Sequence, residues 1–215
     1  MPFRTIVGHS RLLSLLARVI ARDSMPPALL LAGPPGVGKR LTAVAIAEAI
    51  NCLQPQSTKA FERDACGECA SCRRIGRGMH PDVIVVEPGE LGAIKIEQLR
   101  DVIDRSQYRP FEGRRRVVII DQADGLVPQA QNALLKTLEE PPSSSVFILV
   151  SARADSLLPT VQSPGKSLRE DAGFRRRTGL VRSNQSAAVD AQPGQTLFDA
   201  CTGRIAAQHT YHGCL

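Results

Sequence analysis

Apolar residues in this chain fall into short unbroken runs separated by stretches with helical spacing. Ala28-Leu29-Leu30-Leu31-Ala32, Val83-Ile84-Val85-Val86, Val117-Val118-Ile119-Ile120 and Val146-Phe147-Ile148-Leu149-Val150 have the length and branching of strands buried on both faces. Between them, apolar positions 12, 13, 16, 19 and 20 define one face of a helix over Arg11 to Ile20, with Ser10 as its expected N-cap. Leu41 to Ile50, Ile94 to Ile103 and Val127 to Glu140 are further helices, the last stopped by Pro141-Pro142. Strands that alternate with helices predict an α/β fold: a parallel sheet with helices on both faces.

The first strand leads into Gly33-Pro34-Pro35-Gly36-Val37-Gly38-Lys39, and a helix follows. In that context the glycines let successive N–H groups face phosphate oxygens, while Lys39 reaches the outer phosphates and the helix N-terminus adds partial positive charge. A glycine-rich turn without a ligand is the alternative. The next residue is Arg40, where the nucleotide-hydrolysing pattern has Ser or Thr to help hold Mg²⁺. Thr42 lies about 200° further round the helix and points elsewhere.

Asp121 closes the third apolar run, the position from which a parallel strand offers a carboxylate to a metal, so it is the Mg²⁺ candidate. It would otherwise simply cap a turn. Gln122 follows, where hydrolysing proteins of this class place a Glu to activate water; an amide cannot take that proton. With Arg40 and Gln122 both altered, the site is expected to bind ATP with little or no hydrolysis.

Cys66, Cys69 and Cys72 have the spacing Cys-x2-Cys-x2-Cys, and Cys52 lies upstream. Four thiolates close a tetrahedral Zn²⁺ shell and leave no open position, so a structural zinc holding a loop insertion is expected, with disulfides as the competing reading. A signal peptide and an apolar stretch of membrane length are both lacking, which favours a reducing, cytoplasmic setting without membrane contact.

The 215 residues suffice for one α/β core with an appendage. A net charge of +6 permits contact with nucleic acid without requiring it, and two Tyr, six Phe and no Trp make base stacking an unlikely main mode of recognition. Beyond Asp121 there is no carboxylate constellation for nucleotidyl transfer, so that chemistry is not expected of the chain itself.

Val7-Gly8-His9, Ala28 to Lys39, the four cysteines, His80-Pro81-Asp82, Tyr108 to Gly113, Val117 to Asp121 and above all Asn132 to Pro142 resemble the clamp-loader subunits of bacterial DNA polymerase III, delta-prime and its gamma and tau motor relatives. The resemblance covers about residues 1 to 163. It implies an AAA+ module that works with gamma/tau and delta subunits to place the sliding clamp on primer-template DNA. By the same resemblance Val7 and Gly8 lie near the adenine and Ser151 senses the nucleotide, while Arg40 and Gln122 fit the delta-prime role better than a motor. An ATP-hydrolysing motor and a zinc-bearing nucleic-acid-binding fragment are the alternatives.

After Ser163 the likeness stops. The family continues with Arg-Cys, whose Arg reaches toward a neighbouring subunit's nucleotide; here Pro164-Gly165-Lys166 follows. Residues 164 to 215, including Arg175-Arg176-Arg177, read as an aberrant disordered tail in place of a fifth core strand, lid and collar. A change of reading frame is one explanation. Cys201, His209, His212 and Cys214 form at most a weak second metal candidate. The domain expectation is a core over 1–163, with a zinc module over 52–72, and a tail over 164–215. Loss of the fifth strand would leave Leu29 to Leu31 on an open, aggregation-prone sheet edge.

Overall fold

A computed structural model describes residues 1–89, 92–153 and, as backbone only, 178–182. Five parallel strands carry the fold: β1 (Ala28–Ala32), β2 (Val83–Val86), β3 (Arg116–Ile120), β4 (Ser145–Ser151) and β5 (Thr178–Arg182). Their order across the sheet is β2-β3-β4-β1-β5. Thus β4, although fourth in the chain, lies between β1 and β3, pairing Ala32 with Ser151 on one side and Ile120 with Leu149 on the other. The helices are α1 (Ser10–Ala21), α2 (Lys39–Asn51), α3 (Ala70–Gly76), α4 (Ile96–Gln107) and α5 (Pro128–Glu139).

The period-two alternation of the strands sorts their side chains between two cores. Leu29, Leu31, Val117, Ile119, Val146 and Ile148 pack with Leu13, Leu16 and Ile20 of α1 and Ile46 and Ile50 of α2. Their neighbours Leu30, Val118, Ile120, Phe147 and Leu149 pack with Leu99 of α4 and Leu134 and Leu138 of α5. This is the expected α/β arrangement with both sheet faces covered. Burial on both faces leaves the strands no polar side, hence the unbroken apolar runs.

Several boundaries shift. His9, in the left-handed region at φ 51°, caps α1, and Ser10 is already helical. Helix α4 begins at Ile96 and runs on to Gln107. A correction concerns the sheet edge. Strand β5 pairs with β1, Leu30 opposite Leu180, so the edge expected to be open is covered and residues 178–182 of the expected disordered tail form a strand. Periodicity was no guide there, because Thr178 to Arg182 carries glycine and charge amid a polar stretch. The chain divides into Met1–Ser183 and Asn184–Leu215. The run from Leu157 to Lys166, Arg175 to Arg177, and Cys201, His209, His212 and Cys214 lie outside the described residues.

Asp82, fully buried before β2, fixes the sheet to the loop that follows α4. Its carboxylate accepts the N–H groups of Phe111, Glu112 and Gly113 at 2.7, 2.8 and 2.8 Å and the Arg116 guanidinium at 3.1 Å. Arg116 also donates to the carbonyls of Arg105, Tyr108 and Arg109, which receive a cation at the negative end of α4. His80-Pro81-Asp82 and Tyr108 to Gly113, remote in sequence, are therefore one construction. Burial would raise the Asp82 pKa, but the backbone donors and Arg116 outweigh it and hold the carboxyl below its ordinary value.

Candidate nucleotide pocket and cysteine cluster

Gly33 to Gly38 join β1 to α2, with Pro34 to Val37 exposed. Gly36 and Gly38 take φ of 83° and 87°, a region that costs other residues energy, and so turn the chain into the helix. Lys39 opens α2, and its ammonium donates to the Gly33 and Pro34 carbonyls at 2.7 and 2.6 Å, lying across its own loop. Burial lowers its pKa, opposed by the carboxylates of Asp124 and Asp121. Beside the loop is a small hollow lined by His9, Leu12, Val37, Lys39 and Thr42. Val7 and Gly8 immediately precede it in the chain; Val7 is almost wholly exposed and Gly8 turns with φ 88°.

Arg40 stands on the first turn of α2 and donates to Asp121 at 3.2 Å. Its other terminal nitrogen pairs with Glu87. The two carboxylates stand just beyond β3 and β2, so a guanidinium bridges neighbouring strand ends. Residues present here do not fit Mg²⁺ at Asp121: a monovalent cation already engages that carboxylate, and Thr42, the nearest hydroxyl on α2, donates to Gly38 at 3.0 Å. Gln122 is exposed, has φ 48°, and donates its N–H to Asp121 at 2.9 Å.

Ser151 ends β4 between the loop and Asp121, and its carbonyl accepts the Gly33 N–H at 3.3 Å. Its hydroxyl donates to Asp124, which also accepts the Ala152 N–H at 2.9 Å. Asp124 and Glu87 are site residues that sequence reasoning missed. Glu87 was findable, because it follows an apolar strand just as Asp121 does.

In the cysteine cluster, the Sγ atoms of Cys52, Cys66, Cys69 and Cys72 all lie within 4.8 Å of one another. Cys52 to Cys66, Cys52 to Cys69 and Cys66 to Cys72 are 3.6, 4.0 and 4.0 Å. Four thiolates at Zn–S bonds of about 2.3 Å stand about 3.8 Å apart, so the donor set and spacing fit tetrahedral zinc, whereas a disulfide needs about 2.05 Å. The four thiols are free. Backbone N–H groups already point at sulfur: Cys66 at Cys52, Glu68 and Cys69 at Cys66, and Cys72 at Cys69, at 3.2 to 3.4 Å. Burial would raise the Cys69 thiol, but the N–H donors of Cys72 and Leu53 and the neighbouring thiols bring it down to about 6. Burial pushes Cys52 and Cys72 up.

The cluster is tied to the N-terminal segment. Asp64, fully buried, accepts the N–H groups of Phe3 and Arg4 at 2.7 and 3.2 Å, and Arg4 donates to the Ala65 and Cys66 carbonyls at 2.8 and 2.9 Å.

Together these features define an AAA+-type P-loop α/β module bearing a four-cysteine insertion. Over residues 8–169 the chain matches the family described as DNA polymerase III, delta subunit, and it belongs to that family. It is 39% identical over 137 residues to DNA polymerase III subunit delta' of Pseudomonas aeruginosa, covering 63% of this chain and 40% of that one. Subunit gamma of Buchnera aphidicola is 32% identical over 161 residues, 75% of this chain and 43% of that one. Subunit tau of Escherichia coli is 35% identical over the same length, 75% of this chain and 24% of that one. A crystal structure of a gamma subunit-related protein from Thermotoga maritima superposes with a TM-score of 0.54 at 28% identity, covering 80% of this chain and 45% of that one. The chain thus spans less than half the length of these relatives. Among the described residues no helix is long and apolar enough to cross a membrane.

Proposed function

We propose that the chain acts in DNA replication as a delta-prime-type subunit of a clamp loader, holding a nucleotide at Gly33 to Lys39 without hydrolysing it. The observation that carries this reading is the bridge from Arg40 to Asp121, which puts a guanidinium where a hydrolysing site holds its metal. Gln122, in the place of the water-activating carboxylate, points the same way. Likeness to gamma and tau relatives supports the shared module; these two residues favour the supporting member over the motor.

In this reading Val7 and Gly8 border the base, Gly33 to Arg40 and Asp121 border the phosphates, and Ser151, through Asp124, responds to occupancy. Cys52, Cys66, Cys69 and Cys72 hold one structural Zn²⁺ in the module over 52–72. Its partners are the gamma/tau and delta subunits, with the sliding clamp and primer-template DNA reached through the assembly in the cytoplasm. Polymerase chemistry belongs to the holoenzyme.

The test combines equilibrium dialysis with ATP, steady-state phosphate release, and capture of purified gamma/tau and delta subunits by the tagged chain. ATP binding weakened by about tenfold or more in Lys39→Ala, phosphate release at background and capture of the subunits are expected. Phosphate release abolished by Lys39→Ala would instead establish a motor, and failure to capture any subunit would remove the loader role.

A further inference from the structure

Resting on the nucleotide reading above, we propose that Arg40 replaces the divalent cation of the site, so that the pocket takes a nucleoside polyphosphate in its metal-free form. Three observations converge. Arg40 engages Asp121 at 3.2 Å and at the same time pairs with Glu87, so the half-exposed guanidinium lies between two carboxylates. Asp121 has its other oxygen committed to the Gln122 N–H, and its side chain is only 10% exposed, so it has little room for the several waters that Mg²⁺ retains. Thr42, the one hydroxyl of α2, lies about 200° round the helix from Arg40 and so does not supply a metal ligand beside Asp121.

Electrostatics decides which cation wins. Mg²⁺ dehydrates reluctantly and demands near-octahedral oxygen ligation, whereas a guanidinium is weakly hydrated and matches two carboxylates with its planar fork. Bringing Mg²⁺ to Asp121 requires either breaking the Arg40–Asp121 pair or placing two cations against one carboxylate. Arg40 also arrives with the fold, through its place beside Lys39 on α2. The counter-charge to Asp121 and Glu87 is therefore built in and independent of the metal concentration. Glu87 has a specific part: it holds the guanidinium from the β2 side and keeps it at the strand ends.

Two binding measurements on the full chain test this. In the first, ATP is titrated in EDTA and again in excess Mg²⁺, for the wild type and Arg40→Ser. The wild type should bind at least as tightly in EDTA as in Mg²⁺, because excess Mg²⁺ withdraws the metal-free nucleotide, while Arg40→Ser should bind weakly in EDTA and gain about tenfold or more with Mg²⁺. A wild-type affinity that rises about tenfold with Mg²⁺ overturns the proposal. In the second, free Mn²⁺ is followed by electron paramagnetic resonance without any nucleotide. Arg40→Ser should acquire a Mn²⁺ site that Asp121→Asn removes, and the wild type should lack it; a wild-type Mn²⁺ site abolished by Asp121→Asn sinks the idea. Absence of ATP binding in both forms under both conditions would refute the nucleotide reading, and the Mn²⁺ measurement would still decide whether Arg40 excludes the cation.

Discussion

Asp82 shows how much one side chain can decide. Its carboxylate satisfies three backbone donors and one guanidinium in a fully buried place, so replacing one oxygen by an amide turns an acceptor into a competing donor. Asp82→Asn is expected to cost about 2–4 kcal/mol, read as a lowered midpoint in urea unfolding at neutral pH. The pH dependence has a definite sign. With the folded pKa held below the ordinary 3.8, the stabilisation is complete above that value and is lost as pH falls through the folded one. The wild type should therefore lose more stability than Asp82→Asn on going from about pH 5 to about pH 2, and equal losses would count against the assignment. At this scale the sequence disclosed chemistry better than partnership. Lys39, Asp121 and the cysteines announce themselves by type and spacing, whereas the bond from Arg40 to Asp121 joins residues far apart in the chain, on a helix start and a strand end that spacing alone does not bring together. Asp124 was overlooked because it stands in a short turn after β3, and its contacts with Ser151 and Ala152 are what single it out.

Among the elements, the cysteine insertion depends least on apolar burial. Its own core consists of Cys52, Ala65, Cys66 and Cys72, with Cys69 packed against them, far too little apolar surface to order the segment unaided. A metal would supply the missing cohesion. We expect one zinc per chain by atomic emission, and a fall in the thermal midpoint of at least about 5 °C when a chelator strips it or when Cys66→Ser removes one ligand. A chain that retains both its midpoint and its circular dichroism without metal would show that hydrogen bonding suffices. The strands were legible as unbroken apolar runs of strand length, and α1, α4 and α5 because each buries one face with a helical period. Helix α3 escaped notice, since its seven residues are set by the cysteine turn before it, where the Cys69 sulfur accepts the Cys72 N–H, and too few turns follow to show periodicity.

For the whole molecule, sheet order matters more than strand count. Placing β4 between β1 and β3 brings the Ser151 end, the loop and Asp121 to one edge, an arrangement that the order of strands in the chain does not reveal. Strand β5 then completes the sheet from a stretch with no apolar run, where backbone pairing to β1 does what side-chain pattern did not advertise. Leu180→Pro places a rigid ring in the middle of that strand and should speed amide exchange in Leu29 to Leu31 and promote self-association seen by light scattering; unchanged exchange there would mean that β5 adds little protection. The strap from Phe3 and Arg4 to Asp64 and Cys66 has a longer reach. Five residues beyond Arg4, His9 lines the hollow beside the loop, so the cluster and the pocket share one short length of chain. Any coupling carried by this segment is reciprocal, so if withdrawing zinc weakens ATP binding, saturating ATP should slow the escape of zinc to a chelator by the same free energy; an ATP affinity unchanged on zinc removal would show that the segment carries none. Under the proposed function, a chain wired in this way would register a shortage of metal as a slackened hold on a nucleotide.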